Sequence, residues 1–139
     1  MIENALTLCD LQEKRDSLLS EISGGERQRA YLAMVIAQNT KMILLDEPAS
    51  YMDIKHQIQI MDVLKKLKEQ GRGIVMTSHD LPQGFTFCDK IYLMENGRAV
   101  ACGKPEELVD RQDLIKKVMN VNLQRDLNPK ALYSFSLAK

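Results

Sequence analysis

Three short stretches carry the residues that could do chemistry. In "SEISGGERQRAY" (residues 20–31), Ser23 and Glu26 stand at the spacing of a capping box, in which a serine oxygen and a glutamate carboxylate satisfy amides of a first helical turn. That pair has a structural explanation. Gly24 and Gly25 do not, because two glycines in a first turn cost about 2 kcal/mol relative to alanines. What they offer is bared N–H groups at the positive end of a helix, which suits close approach by a phosphate. In "MILLDEP", Asp46 and Glu47 close an apolar run, and open α/β sheets build ligand sites at such strand ends. Successive side chains on extended backbone point apart. Asp46 is therefore expected to help hold Mg²⁺ through its water shell, and Glu47 to polarise or deprotonate a water aimed at a phosphoryl group. In "IVMTSHD", His79 follows a second apolar run, where a single ring nitrogen can hydrogen-bond a phosphate or register its loss. His56, between Lys55 and Gln57 on an expected helix, lacks that setting and reads as structural.

The elements that must position these residues alternate between helix and strand. Residues 3–20 suggest short helical pieces. A helix is expected from Ser23 to about Gln38, burying Ala30, Ala33, Met34 and Ala37 at i, i+3, i+4, i+7. "MILLD" and "IVMT" read as short strands buried on both faces. Between them, "EPASYMD" is a loop whose Asp53 caps a helix with Ile60, Val63, Leu64 and Leu67 on one face, stopped by "GRG". "KIYLMENGRAVAC" predicts a β-hairpin turning at Asn96-Gly97, and Pro105 opens a helix with Glu106 and Glu107 in its first turn. The last residues suit a second hairpin around Asn128-Pro129.

Composition sets outer limits. The chain has 139 residues, 45% hydrophobic and 27% charged, with 19 basic and 19 acidic side chains; this is the profile of about one globular domain. A formal net charge of zero argues against a broad electrostatic footprint on nucleic acid or anionic lipid. No apolar run approaches the ~20 residues needed to cross a bilayer, and "MIENALTLCD" lacks the basic start of a signal peptide, so a cytoplasmic location is expected. Cys9, Cys88 and Cys102 are odd in number, far apart and outside any C-x-x-C; they read as small buried or half-buried thiols.

Taken in order, S-G-G-E-R-Q-R, I-L-L-D-E-P, an aspartate loop and T-S-H-D resemble the C-terminal half of the ATP-binding subunit of ABC transporters. "ISGGERQR" is similar to the signature motif, with Ile22 where leucine is usual, and "MILLDE" to the Walker B strand. The resemblance implies Asp46 as the magnesium-associated acid, Glu47 as catalytic base and His79 as the switch histidine. "SYMD" resembles the D-loop, with Met52 in place of leucine and Asp53 retained. "DIKHQ" looks most like importers of iron-siderophores, haem and cobalamin, although the residues themselves suggest no role for His56 or Gln57. The implied fold is α/β: the C-terminal part of a P-loop NTPase domain, a parallel-sheet core with helices plus a C-terminal β-hairpin. Residues 1–22 would be a remnant of the helical subdomain, 23–110 the catalytic core and 111–139 a C-terminal extension.

The sequence also departs from the family pattern. A phosphate-cradling Walker A loop, G-x-x-x-x-G-K-S/T, is absent from these residues, and Gly103-Lys104-Pro105 is not a displaced copy. The chain is therefore expected to be a fragment lacking the Walker A half. Its missing segment should place a strand between the two buried ones, leaving apolar surface that drives self-association. The resemblance implies Mg²⁺ and ATP, a head-to-tail second ATPase subunit, and a transmembrane permease holding the assembly at the inner face of the membrane. Ser23, Gly24, Gly25 and Glu26 would serve the partner's nucleotide, while Asp46, Glu47 and His79 serve one held in cis. Two other classes remain open: a non-catalytic remnant docking on an intact ATPase or permease, and an ATPase of the DNA-repair type.

Overall fold

The computed structural model describes residues 1–50 and 52–122 in full, and residues 123–125 and 133–137 as backbone elements. The chain divides into two compact units, Met1–His79 and Asp80–Lys139.

The first unit opens with α1 (Ile2–Leu8) and a 3-10 turn (Gln12–Lys14), then runs through α2 (Gly24–Ala37), β1 (Met42–Asp46), α3 (Ile54–Glu69) and β2 (Gly73–Thr77). α2 begins where its capping box predicts, but its buried face is Arg29, Leu32, Ala33 and Ile36. Met34, expected inside, is 60% exposed. The stripe is rotated because the larger Leu32 and Ile36 bury more apolar area than the alanines do, and because Arg29 is anchored inward: its Nε donates to the Cys9 carbonyl at 3.1 Å and its Nη1 to Gln59 Oε1 at 3.2 Å. α3 buries Ile60, Val63, Leu64 and Leu67 as its periodicity requires, together with Met61. It ends in a Schellman motif, with Arg72 N–H bonded to the Leu67 carbonyl, Gly71 N–H to that of Lys68, and Gly71 at φ 84°.

β1 and β2 pair directly in parallel, from Met42 opposite Gly73 to Asp46 opposite Thr77. This corrects the expectation of an intervening strand. A strand, crossover helix and parallel strand form a complete βαβ unit, and consecutive strands are usually neighbours. The strands are also not buried on both faces. α2 and α3 supply the core around Ile43, Ile60 and Leu67, while Leu44 and Val75 are 72% and 56% exposed on the opposite side.

The second unit contains α4 (Leu81–Phe87), β3 (Ile91–Glu95), β4 (Arg98–Gly103), α5 (Pro105–Leu108), α6 (Gln112–Met119), β5 (Val121–Arg125) and β6 (Tyr133–Leu137). β3 and β4 form the expected hairpin, and Asn96 and Gly97 both have positive φ, 50° and 74°, as a type I′ turn demands. Its core comprises Phe85, Leu93, Ala101, Leu108, Val109 and Ile115. β5 and β6 pair antiparallel as the second hairpin expected from sequence; Asn128-Pro129 lie outside the described residues. The cysteines differ more than their sequence reading suggests. Cys9 is buried and Cys88 half-buried, but Cys102 is exposed on β4. Burial pushes the Cys9 thiol up to about 11.

Candidate functional site

Asp46, the last residue of β1, lies opposite Thr77, the last residue of β2. The Thr77 hydroxyl donates to Asp46 Oδ1 and accepts the Glu47 N–H at 3.0 Å. One hydroxyl thus orients one carboxylate and pins the backbone of the next. Glu47 itself is left-handed, with φ 45°, a conformation uncommon outside glycine, asparagine and aspartate. The two acids therefore part company through a turn at the strand end rather than through the pleat. Such strain persists only where its surroundings hold it, and the Thr77 bond is one such constraint.

The Glu47 carboxylate has a partner on each oxygen. Oε2 accepts the Ser50 hydroxyl at 2.8 Å, and Oε1 lies 3.0 Å from His79 Nδ1. An ionised carboxylate only accepts, so Nδ1 carries the proton in this contact. The His79 and Ser50 bonds, in that order, hold the Glu47 carboxyl below its usual range and keep it ionised. Thr77 and Ser50 were not singled out from sequence. Thr77 could have been found from the β1–β2 register, and Ser50 from its place three residues after Glu47 in a turn.

The signature turn is built as its spacing predicts. Ser23 caps α2 in extended backbone, its oxygen accepting the Glu26 N–H at 3.2 Å, while Glu26 Oε2 accepts the Ser23 N–H at 2.8 Å. Those bonds, the Ser23 amide first, lower the Glu26 carboxyl's affinity for protons. Glu26 Oε1 also meets Lys14 Nζ at 3.6 Å. Its carboxylate is thus committed to the cap rather than aimed at an anion. Arg27 holds the incoming chain, donating to the carbonyls of Leu19 at 3.0 Å and Ile22 at 3.4 Å. Nothing lies within 4 Å of where a Cβ on Gly24 would stand, so the first amides of the helix can be approached closely. These amides have no intrahelical acceptor by construction.

Asp53 caps α3 through His56 N–H at 3.0 Å. His56, expected to be merely structural, touches both loops: its Nδ1 lies 2.7 Å from Asp53 Oδ2, and its ring packs on Gly25. Tyr51 lies outside the described residues. The structure therefore brings Asp46, Glu47 and His79 together around Thr77, and links Asp53 to the signature turn through His56.

The donors around Asp46 and Glu47 are carboxylate and hydroxyl oxygens, which suits a hard cation such as Mg²⁺ that retains much of its water. Among the described residues no helix is long and apolar enough to cross a membrane.

The family described as ABC transporter matches residues 1–50. The chain is 41% identical to the petrobactin import ATP-binding protein FpuD of Bacillus anthracis, over 93% of the chain and 47% of that protein. It is 40% identical to the probable siderophore transport system ATP-binding protein YusV of Bacillus subtilis (strain 168), over 92% of the chain and 46% of that protein. It is 35% identical to the hemin import ATP-binding protein HmuV of Pseudoalteromonas translucida, over 91% of the chain and 51% of that protein. The chain spans about half the length of these curated relatives. Its fold superposes on an ABC transporter solved in an inward-facing conformation with a TM-score of 0.86 at 22% identity, covering 99% of the chain and 56% of that one. It also superposes on the ADP conformation of MJ1267, an ATP-binding cassette of an ABC transporter, with a TM-score of 0.74 at 26% identity, covering 84% and 46%.

Proposed function

Because the chain belongs to the ATPase domains of ABC transporters, we propose that it supplies the hydrolytic and signature parts of an ATP site that drives import of a metal chelate. The observation that carries this reading is Glu47, strained at φ 45° and held between Ser50 and His79. A general base needs its carboxylate ionised and aimed, and these contacts do both.

In this reading Glu47 receives a proton from the water that attacks the γ-phosphate, and His79, bonded to Glu47 through Nδ1, would register that phosphate. Asp46, oriented by Thr77, would hold Mg²⁺ through water. When bound, Mg²⁺ neutralises charge on the β- and γ-phosphate oxygens. The signature residues Ser23, Gly24 and Gly25 offer helix-end amides to a nucleotide held by a second ATPase subunit, with Glu26 keeping Ser23 in place. A permease would couple closure and release of the two subunits to transport, placing the chain at the inner face of the membrane. The metal-chelate assignment rests on the relatives, whose names describe petrobactin, siderophore and hemin import.

These 139 residues contain no Walker A loop, and that loop's amides and lysine make most of the β- and γ-phosphate contacts. The chain alone is therefore a weak ATP binder without turnover. Imidazole NMR on the chain tests the site. The His79 ring signals should move with millimolar Mg-ATP and stay in place with Mg-AMP, which has no γ-phosphate. A His79 ring indifferent to Mg-ATP would refute the assignment.

A further inference from the structure

We propose that His56 and Gln57 are positioning residues that clamp the aspartate loop to the first turn of α2, so that Asp53 and Gly25 keep a fixed spacing. This deepens, and rests on, the reading that both groups face a nucleotide carried by a second subunit.

Asp53 needs neither side chain to cap α3. The cap uses Oδ1 and the backbone N–H of His56 at 3.0 Å, which almost any residue at that position would provide. The imidazole adds a second bond, Nδ1 to Asp53 Oδ2 at 2.7 Å. A carboxylate only accepts, so the proton sits on Nδ1. The opposite side of the ring is against the signature turn: a Cβ on Gly25 would lie 3.0 Å from Cδ2, 3.1 Å from Nε2 and 3.2 Å from Cγ of His56. The ring is thus wedged between a carboxylate and a glycine. A Cβ on Gly25 would press on the ring and force a shift of a few tenths of an ångström. Burial matches this role, for the His56 side chain is 28% exposed while that of Asp53 is 63% exposed and open to a partner. Gln57 fixes the residue just before, its Nε2 donating to the Met52 carbonyl at 3.2 Å.

The clamp gives Gly25 a requirement independent of any phosphate. It also couples the two motifs, because the same ring bonds Asp53 at 2.7 Å and packs on Gly25.

Nitrogen-15 spectra of the histidine rings in the whole chain, without nucleotide, test this directly. At a pH where the ring is neutral, His56 should show the Nδ1–H tautomer, the less favoured form in water, and Asp53→Ala should abolish that preference. Gly25→Ala should lower the thermal midpoint in the wild-type background and much less beside His56→Asn, whose amide keeps a donor for Asp53 while vacating the space of the ring. An Nε2–H tautomer in the wild type, or an equal effect of Gly25→Ala in both backgrounds, would overturn the clamp. The wild-type spectrum decides even if a substituted chain does not fold. Neither measurement contains nucleotide, so failure of the clamp and failure of the proposed function remain separate results.

Discussion

Glu47 and His79 meet at 3.0 Å, each from the residues that follow one of two directly paired parallel strands. The contact is short because the strands end in register, Asp46 opposite Thr77, so the chain leaving each strand emerges at the same edge. Replacing His79 by alanine removes the hydrogen bond that does most to lower the Glu47 carboxyl, so its titration should move up toward the ordinary glutamate range. Carbon-13 titration of Glu47 reads this, and an unchanged titration would mean that the contact is not made in solution.

Thr77 should matter through its hydroxyl. Thr77→Val leaves the Glu47 N–H without its acceptor and Asp46 without its donor, lowering stability by about 1 kcal/mol in urea unfolding. Thr77→Ser keeps both bonds and should recover most of that loss. Equal losses in the two variants would assign the effect to packing.

The signature turn predicts opposite signs for neighbouring substitutions. Ser23→Ala removes the cap and should cost about 1 kcal/mol. Gly24→Ala meets nothing within 4 Å and, by restricting the unfolded chain, should stabilise by about 0.5 kcal/mol. A glycine whose replacement stabilises the fold is explained by approach to a ligand rather than by folding. Urea midpoints of the two variants check both signs.

The exposed face carrying Leu44 and Val75 should make the chain self-associate. Light scattering at rising concentration should show oligomers, and Leu44→Lys should reduce them. A compact monomer at high concentration that binds no apolar dye would contradict this.

Acid should weaken the first unit. Glu26, Glu47 and Asp53 all have carboxyls held below their usual range by hydrogen bonds, from the Ser23 amide, the His79 ring and the His56 amide respectively. With folded values below unfolded ones, their stabilisation is complete above the ordinary carboxylate range, about 4, and is lost as pH falls through the folded values. Urea midpoints measured down through that window should fall. A flat profile would mean that these bonds are absent in solution.

How far the sequence revealed this site depended on whether the signal was local. The capping box at Ser23 and Glu26, the Asp53 cap and the Asn96-Gly97 turn are fixed by neighbours within a few residues, so spacing sufficed. Thr77 was hidden because its partners are some thirty positions away in the chain and become visible only once β1 is paired with β2. The role of His56 is illegible in the sequence for a related reason: its contact with Gly25 spans two elements, and no pattern of apolar residues encodes it. The buried face of α2 departs from the apolar periodicity because Arg29, a polar residue, turns inward to a carbonyl and an amide. The motifs were recognisable by resemblance, whereas the bonds that hold them required the fold.

We propose that the chain presents a base, a sensor and a signature turn, and that with no Walker A loop among these 139 residues it grips nucleotide poorly by itself. Calorimetry of the purified chain with Mg-ATP tests it most directly. No saturable heat is expected at micromolar nucleotide. A micromolar dissociation constant at one site per chain would contradict it.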